Sequence, residues 1–293
     1  MNQPTSAPPM FEANEDCLRI NHNAGFFSCC TVRLVGLLEY FQAFQKPPRV
    51  VDSSQQFAWY KRDPLEDVTS RFFKHREDVE IPWKGLPVRI TDTGQEHQFS
   101  DYSRLNFADL KPFIERYFTP SDEIQQLADK IERSSPVPFG EICSVLFRGG
   151  DKKLETTQPS FAEVVLKAAQ LRLRHPQLRF LVQSDEPDFL EYAQRELEGT
   201  CFFVNGSRSD PMTHISLYLA SIMVISRTRF VISTSGNGEM WTRFFRGHAQ
   251  DTQQFLAPKE SIYGVSNPSF DPSRKYFWLG SNLATSSGRT GAE

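Results

Sequence analysis

From residue 142 to residue 246 the chain alternates short apolar runs with longer stretches of helical spacing. The runs at 142–147, 178–184, 201–205 and 229–234 have strand length, and helical patterns at 159–174, 187–197, 211–226 and 237–246 follow them in turn. A run at 253–258 supplies a fifth strand. Buried strands separated by helices pair in parallel, so the alternation predicts a doubly wound parallel sheet. Ligands of such sheets sit at the carboxyl ends of the strands, which makes the turns after them the places to look for chemistry. Pro159 and the capping pattern Ser160-x-x-Glu163 fix the start of one of these helices.

The first half carries a weaker version of the same pattern. Residues 17–23 read as a strand, 28–44 as an apolar helix after the turn Ala24-Gly25-Phe26-Phe27, and 48–54 as a second strand. Residues 55–105 show no clear period and read as irregular with short strands. Helical spacing returns at 107–117 and 121–133, and the Pro/Gly-rich 133–140 reads as a linker. This predicts an N-terminal α/β lobe over 1–135, a Rossmann-like lobe over 136–260, and a C-terminal segment over 261–293 with a frayed tail. Residues 1–13 are expected to be loose.

With 293 residues and 25 phenylalanines the chain can bury a large core, more naturally in two lobes than one. A net charge of −3 gives no general attraction to nucleic acid or an anionic membrane, so any polyanion must be met by a local cluster. Five cysteines, odd in number and without a CxxC, suit reduced thiols rather than a disulfide framework. The N-terminal residues have neither the basic nor the apolar segment of a secretory signal, and the apolar stretch 215–226 is too short to span a bilayer. These features predict a soluble, cytoplasmic protein whose Asn205-Gly206-Ser207 sequon stays unmodified.

Four turns carry unusual chemistry. The first, 148–156, sets Arg148, Asp151, Lys152, Lys153 and Glu155 at a strand end, with Gly149 and Gly150 to let the backbone approach a ligand. Arginine is the natural reader of a diphosphate, though charges in such a loop can also simply pair with one another. The second, Ser233-Thr234-Ser235-Gly236-Asn237-Gly238, precedes a helix and suits a phosphate cradle; Ser235 or Asn237 acting as a plain helix cap explains it equally. The third, 184–187, places two carboxylates, Asp185 and Glu186, at a strand end before Pro187, where Asp185 can be simply an N-cap. The fourth, 21–27, offers Asn21, His22, Asn23 and Gly25. The chain has no HxH, HExxH, Cys/His cluster or Asp-x-Asp pair, which argues against a protein-held metal. It has no GxxxxGK[ST] and no GxSxG, which argues against a P-loop ATPase or an α/β-hydrolase.

The order of these turns resembles the nucleotide-binding half of the fucosyltransferase superfamily, nearest in pattern to the α1,6- and nodulation fucosyltransferases. Their strand followed by His-x-Arg-Arg-x-Asp-Lys stands here as Leu146-Phe147-Arg148-Gly149-Gly150-Asp151-Lys152. Ser184-Asp185-Glu186-Pro187 looks like their Thr-Asp-Asp-Pro, and Ser233-Thr234-Ser235 like their phosphate-contacting Ser/Thr turn. The likeness covers about 140–248 and touches the first lobe through Gly25 and Phe26. Gly149 replaces the second arginine, and the family's guanine-reading aspartate falls near Ser221. The resemblance implies an α/β fold of GT-B type, two facing Rossmann-like lobes with parallel sheets. It further implies metal-independent, inverting transfer of a sugar from a nucleoside-diphosphate donor to a glycan hydroxyl. Fucose is the favoured sugar, with a UDP-pentose such as UDP-xylose or a UDP-hexose as the alternative donor, and a non-catalytic nucleotide- or glycan-binding protein as the alternative class. Donor contacts are then expected from Arg148, Lys152, Ser233, Thr234, Ser235, Gly236, Asn237, Gly25 and Phe26, and acceptor contacts from His22 and Asn23. Glu155 or Asp151 is the expected base, with Asp185 supporting or competing, and no cofactor is expected.

Overall fold

A computed structural model describes residues 9–91, 97–150, 152, 155–203, 211–256 and 277–280 of the chain. Its first part runs β1 (Phe11–Ala13), β2 (Cys17–Ile20), α1 (Phe26–Phe44) and β3 (Val50–Asp52). After an irregular stretch come α2 (Thr69–Phe72), β4 (Phe73–Lys74), α3 (Phe107–Tyr117), β5 (Thr119–Pro120) and α4 (Asp122–Arg133). The second part is β6 (Ile142–Phe147), α5 (Phe161–Arg174), β7 (Arg179–Ser184), α6 (Pro187–Glu196), β8 (Cys201–Phe203) and α7 (Pro211–Ser226). It continues with β9 (Phe230–Ser233), α8 (Asn237–Arg246), β10 (Thr252–Leu256) and β11 (Phe277–Gly280).

The second sheet has the order β11-β10-β9-β6-β7-β8. Its pairs from β10 through β8 are all parallel, with β6 at the centre between β9 and β7. β6 is buried along its whole length. Alternation divides it between two layers: Ile142 and Leu146 face one core, while Cys143, Val145 and Phe147 face the other, under α5 and α6. Each such apolar side chain contributes about 1.5–3 kcal/mol by burial, so this strand anchors the sheet. The first sheet is smaller than the lobe-sized sheet expected, with β2 paired in parallel to β3 and antiparallel to β1.

Helix starts follow their sequence signals. Ser160 and Glu163 form both bonds of the capping box at α5, and Ser121 and Asn106 cap α4 and α3. The expectation of a frayed tail fails at 277–280, because β11 pairs antiparallel along β10 and so covers the edge of the sheet. The strand expected over 17–23 ends at Ile20, which leaves His22 and Asn23 in the turn that follows. Asp151 and the Asn205 sequon lie outside the described residues.

One apolar core takes side chains from both parts of the chain. Trp241 of α8 is fully buried against Phe118 (ring centroids 4.6 Å apart), Phe244 (5.3 Å) and Phe27 (6.1 Å). Its Nε1–H donates to Thr31 Oγ1 of α1 at 3.0 Å, so the N-terminal ends of α1 and α8 are held side by side. Among the described residues no helix is long and apolar enough to cross a membrane.

Candidate active site

The carboxyl end of β6 is where the charges gather. Arg148 leaves the strand and its backbone N–H donates to Thr234 Oγ1, just beyond β9, at 3.1 Å. Its side-chain Nε donates to Asp185 Oδ2, just beyond β7, at 2.8 Å. The other oxygen, Asp185 Oδ1, accepts the N–H of Gly149 at 2.9 Å. Asp185 therefore grips the turn with both oxygens. Asp185, expected to support or compete with Glu155 or Asp151 as the base, here holds Arg148 in place.

The two glycines leave room for this closeness and have no positive φ. A Cβ on Gly150 would stand 2.5 Å from Asp185 Oδ2, and one on Gly149 would stand 2.7 Å from Glu186 Oε2 and 2.9 Å from the Phe147 ring. Lys152 continues the turn and is almost covered, its side chain 10 % exposed. Its ammonium donates to Glu155 Oε2 at 2.6 Å and to Gln98 Oε1 at 2.9 Å.

The turn before α8 is assembled differently from its sequence reading. Ser233, Thr234 and Ser235 are buried, so their side chains support the cleft from beneath instead of lining it. Thr234 holds Arg148, and Ser235 donates to the Phe255 carbonyl of β10 at 3.0 Å while accepting from Gln254 Nε2 at 3.0 Å. Gly236 gives its N–H to the Tyr102 hydroxyl at 2.8 Å. Neither Ser235 nor Asn237 caps the helix: Gly236 stands at the N-cap with no side-chain hydrogen bond. Asn237 instead donates through Nδ2 to Gln98 Oε1 at 3.0 Å. Opposite, α1 also begins without a side-chain cap, at Gly25, and Phe26 N–H donates to the Tyr60 hydroxyl at 3.1 Å.

These pieces enclose a cavity of about 430 Å³ between the start of α1 and the ends of β6 and β9. Of the residues expected from sequence it takes Gly25, Phe26, Arg148, Lys152, Glu155 and Asn237. It also takes Trp59, together with Gln98, Tyr218 and Glu239, which sequence reasoning missed. Glu239 is 3 % exposed, and burial pushes its carboxyl above the usual range, against the opposing pull of Arg148 and Lys152. Burial likewise pushes the Tyr218 phenol up, with Arg148 beside it pulling down. Two uncapped helix starts and two cations thus face one space, an arrangement that favours an anion.

His22 and Asn23 lie elsewhere. They line a second, open cavity of about 640 Å³ with Glu12, Arg19, Asn21, Ser54, Gln55 and Leu65. Asn23 Oδ1 accepts the Ala58 N–H at 2.9 Å, while His22 Nε2 is buried without a partner and burial lowers its pKa. Ser221 is inside α7, donating to the Leu217 carbonyl at 2.8 Å, and presents no base-reading group to the cleft.

No protein-family model matches the chain, and no curated protein matches it in sequence. Solved structures do match its fold, and they define its class as the two-lobed GT-B architecture seen in fucosyltransferases. The NodZ α-1,6-fucosyltransferase soaked with GDP-fucose superposes with a TM-score of 0.53 at 15 % identity, covering 90 % of this chain and 98 % of that one. Fucosyltransferase NodZ from Bradyrhizobium gives 0.51 at 15 % identity over 83 % and 96 %. The NodZ enzyme co-crystallised with GDP gives 0.50 at 15 % identity over 82 % and 93 %.

Proposed function

We propose that the chain is a glycosyltransferase that moves a sugar, fucose in the favoured case, from a nucleoside-diphosphate donor to a glycan hydroxyl, with inversion and without a metal ion. One observation carries the reading: Arg148, clamped by Asp185, shares a cavity with Lys152 and with the uncapped starts of α1 and α8. As the bond between the anomeric carbon and the diphosphate breaks, negative charge grows on the departing phosphate. Arg148 is preoriented to meet that charge, Lys152 adds a second cation, and the start of α8 adds the positive end of its helix dipole. Glu155 is the base of this reading. It lines the cavity and is 29 % exposed, so an acceptor hydroxyl can reach it. Asp151 remains the second candidate.

GDP-fucose is favoured because structures of the similar NodZ fold were obtained with GDP-fucose and with GDP. A donor with another base is the second reading, supported by the burial of Ser221 where the family reads guanine. All five cysteines are free thiols, which supports a reducing, cytoplasmic compartment. Thermal shift with GDP, UDP and dTDP tests the donor: GDP should stabilise most, and a larger shift with UDP removes fucose from the reading. Arg148→Ala should lower transfer by about 10²–10³-fold. Full turnover in that variant would overturn the mechanism.

A further inference from the structure

Glu239 plays no part in the mechanism above, yet it is the most deeply buried carboxyl in contact with the donor cavity. It stands in the first turn of α8 and is 3 % exposed. Its side chain folds back over Gly236 so closely that a Cβ at 236 would collide with Oε2. Charged and titratable groups face it from every side. Arg148 comes from the end of β6, Lys152 from the turn beyond, Asp185 from the end of β7, and Tyr218 from α7. Tyr102 approaches from the segment before α3, and Arg243 on the same helix donates to the Glu239 carbonyl at 3.0 Å. Glu155 and His214 line the same cavity.

The charge balance of this cluster changes when a donor arrives. Among the described residues, two cations in the cleft, Arg148 and Lys152, face three carboxyls: Asp185, Glu155 and Glu239. Asp185 and Glu155 bond the cations directly and keep contact with water, their side chains 30 % and 29 % exposed. Glu239 has no such outlet. A diphosphate that claims both cations leaves Glu239 a buried carboxylate beside a polyanion, where like charges strongly favour the neutral form. Once protonated, the carboxyl ceases to repel a phosphate oxygen and can donate a hydrogen bond to it.

We propose that Glu239 couples donor binding to proton uptake: as a carboxylate it balances Arg148 and Lys152 in the empty cleft, and it takes one proton from solvent when a nucleoside diphosphate enters. The proposal rests on the glycosyltransferase reading and deepens it. Burial already raises the Glu239 pKa; its own backbone N–H pulls against that, and so do the two cations, Arg148 and Lys152. Their capture by the ligand removes that restraint, so the bound pKa lies above the free one. A proton is therefore taken up between the two values, and affinity falls as pH rises through that window.

Isothermal titration of the intact protein with GDP and with UDP, in two buffers of different ionisation enthalpy, counts the protons exchanged. The scan runs from about pH 5.5 to about pH 8.5, and its upper part lies well above the phosphate's own second pKa of about 6. Wild type is expected to take up as much as one proton more than Glu239→Gln. Its affinity should fall by up to about tenfold per pH unit relative to the variant, which keeps the shape and a hydrogen to donate. Equal proton counts in the two proteins across the range overturn the proposal. So does wild type that takes up no proton at any pH, a result that stands even if the variant fails to fold. If neither nucleotide binds wild type, the glycosyltransferase reading falls and this proposal with it. Binding that ignores Glu239 removes this proposal alone.

Discussion

The clamp on Arg148 can be tested without touching Arg148 or Asp185. Gly150 does not have a positive φ, since the glycines that do are Gly85, Gly199 and Gly247 among the described residues. Alanine at 150 is therefore tolerated by the main chain. Its Cβ, however, would stand 2.5 Å from Asp185 Oδ2, the atom that holds Arg148 Nε at 2.8 Å. The carboxylate must move, and the hydrogen bond that aims the guanidinium must lengthen or break. A hydrogen bond to a charged group is worth about 1.5–3 kcal/mol; with both partners about a third exposed the figure falls to about 1–1.5 kcal/mol. Gly150→Ala should therefore weaken nucleoside-diphosphate binding by about 5–12-fold while thermal stability without ligand stays within a few degrees. Titration calorimetry reads the affinity. A double-mutant cycle with Asp185→Ala sharpens the test, because Gly150→Ala should add almost nothing once its target is gone. Unchanged affinity in the single variant, or full additivity in the double, would refute the clamp.

Two further outcomes follow from the packing. Trp241→Ala removes a fully buried indole that joins Phe27, Phe118 and Phe244 and should cost about 3–5 kcal/mol in urea unfolding; a loss under about 1 kcal/mol would mean the shared core does not bind the two parts of the chain together. At His75, Nε2 lies 2.7 Å from Arg33 Nη2, which can only donate, so the imidazole must be neutral; burial and Arg33 lower its pKa to about 4. The unfolded chain then binds this proton near the ordinary histidine pKa of about 6.5, so its contribution to stability is whole above that pH and is lost as pH falls toward about 4. Denaturant unfolding of wild type should weaken over that range more steeply than His75→Asn, and parallel curves would contradict the assigned neutral ring.

The second half was legible nearly to the residue, and the reasons are local. Strands of the central sheet are apolar on both faces, so β6, β7 and β9 announce themselves by composition without a need for phase. Helix α5 carries its own start signal in Ser160 and Glu163, and both predicted bonds form. The first half gave less away. Gln98 and Tyr102, which brace Lys152, Asn237 and Gly236, come from a segment without period, so nothing in their spacing pointed to the cleft. Ser233 to Ser235 misled for a different reason: polar side chains at a strand end read as exposed, but β10 lies alongside and covers them.

Within the site the same division holds, and sheet register explains it. β6 pairs Leu146 with Ser233 of β9 and Phe147 with Ser184 of β7. The residues that come next, Arg148, Thr234 and Asp185, must then emerge side by side at one edge, although Asp185 is 36 positions from Gly149 and Thr234 is 86 from Arg148. A slip of one residue in either pairing would turn the clamp to the opposite face of the sheet. The clamp is thus encoded by three strands that the sequence declares openly. Glu239 is not, because its direction depends on how α8 is rotated, and that rotation is set by Trp241 seated among Phe27, Phe118 and Phe244. Its position is a product of tertiary packing between the two parts of the chain, beyond the reach of any local pattern. The same packing sets the proximity of α1 and α8, so the anion-facing helix starts and the buried carboxyl between them depend on one indole.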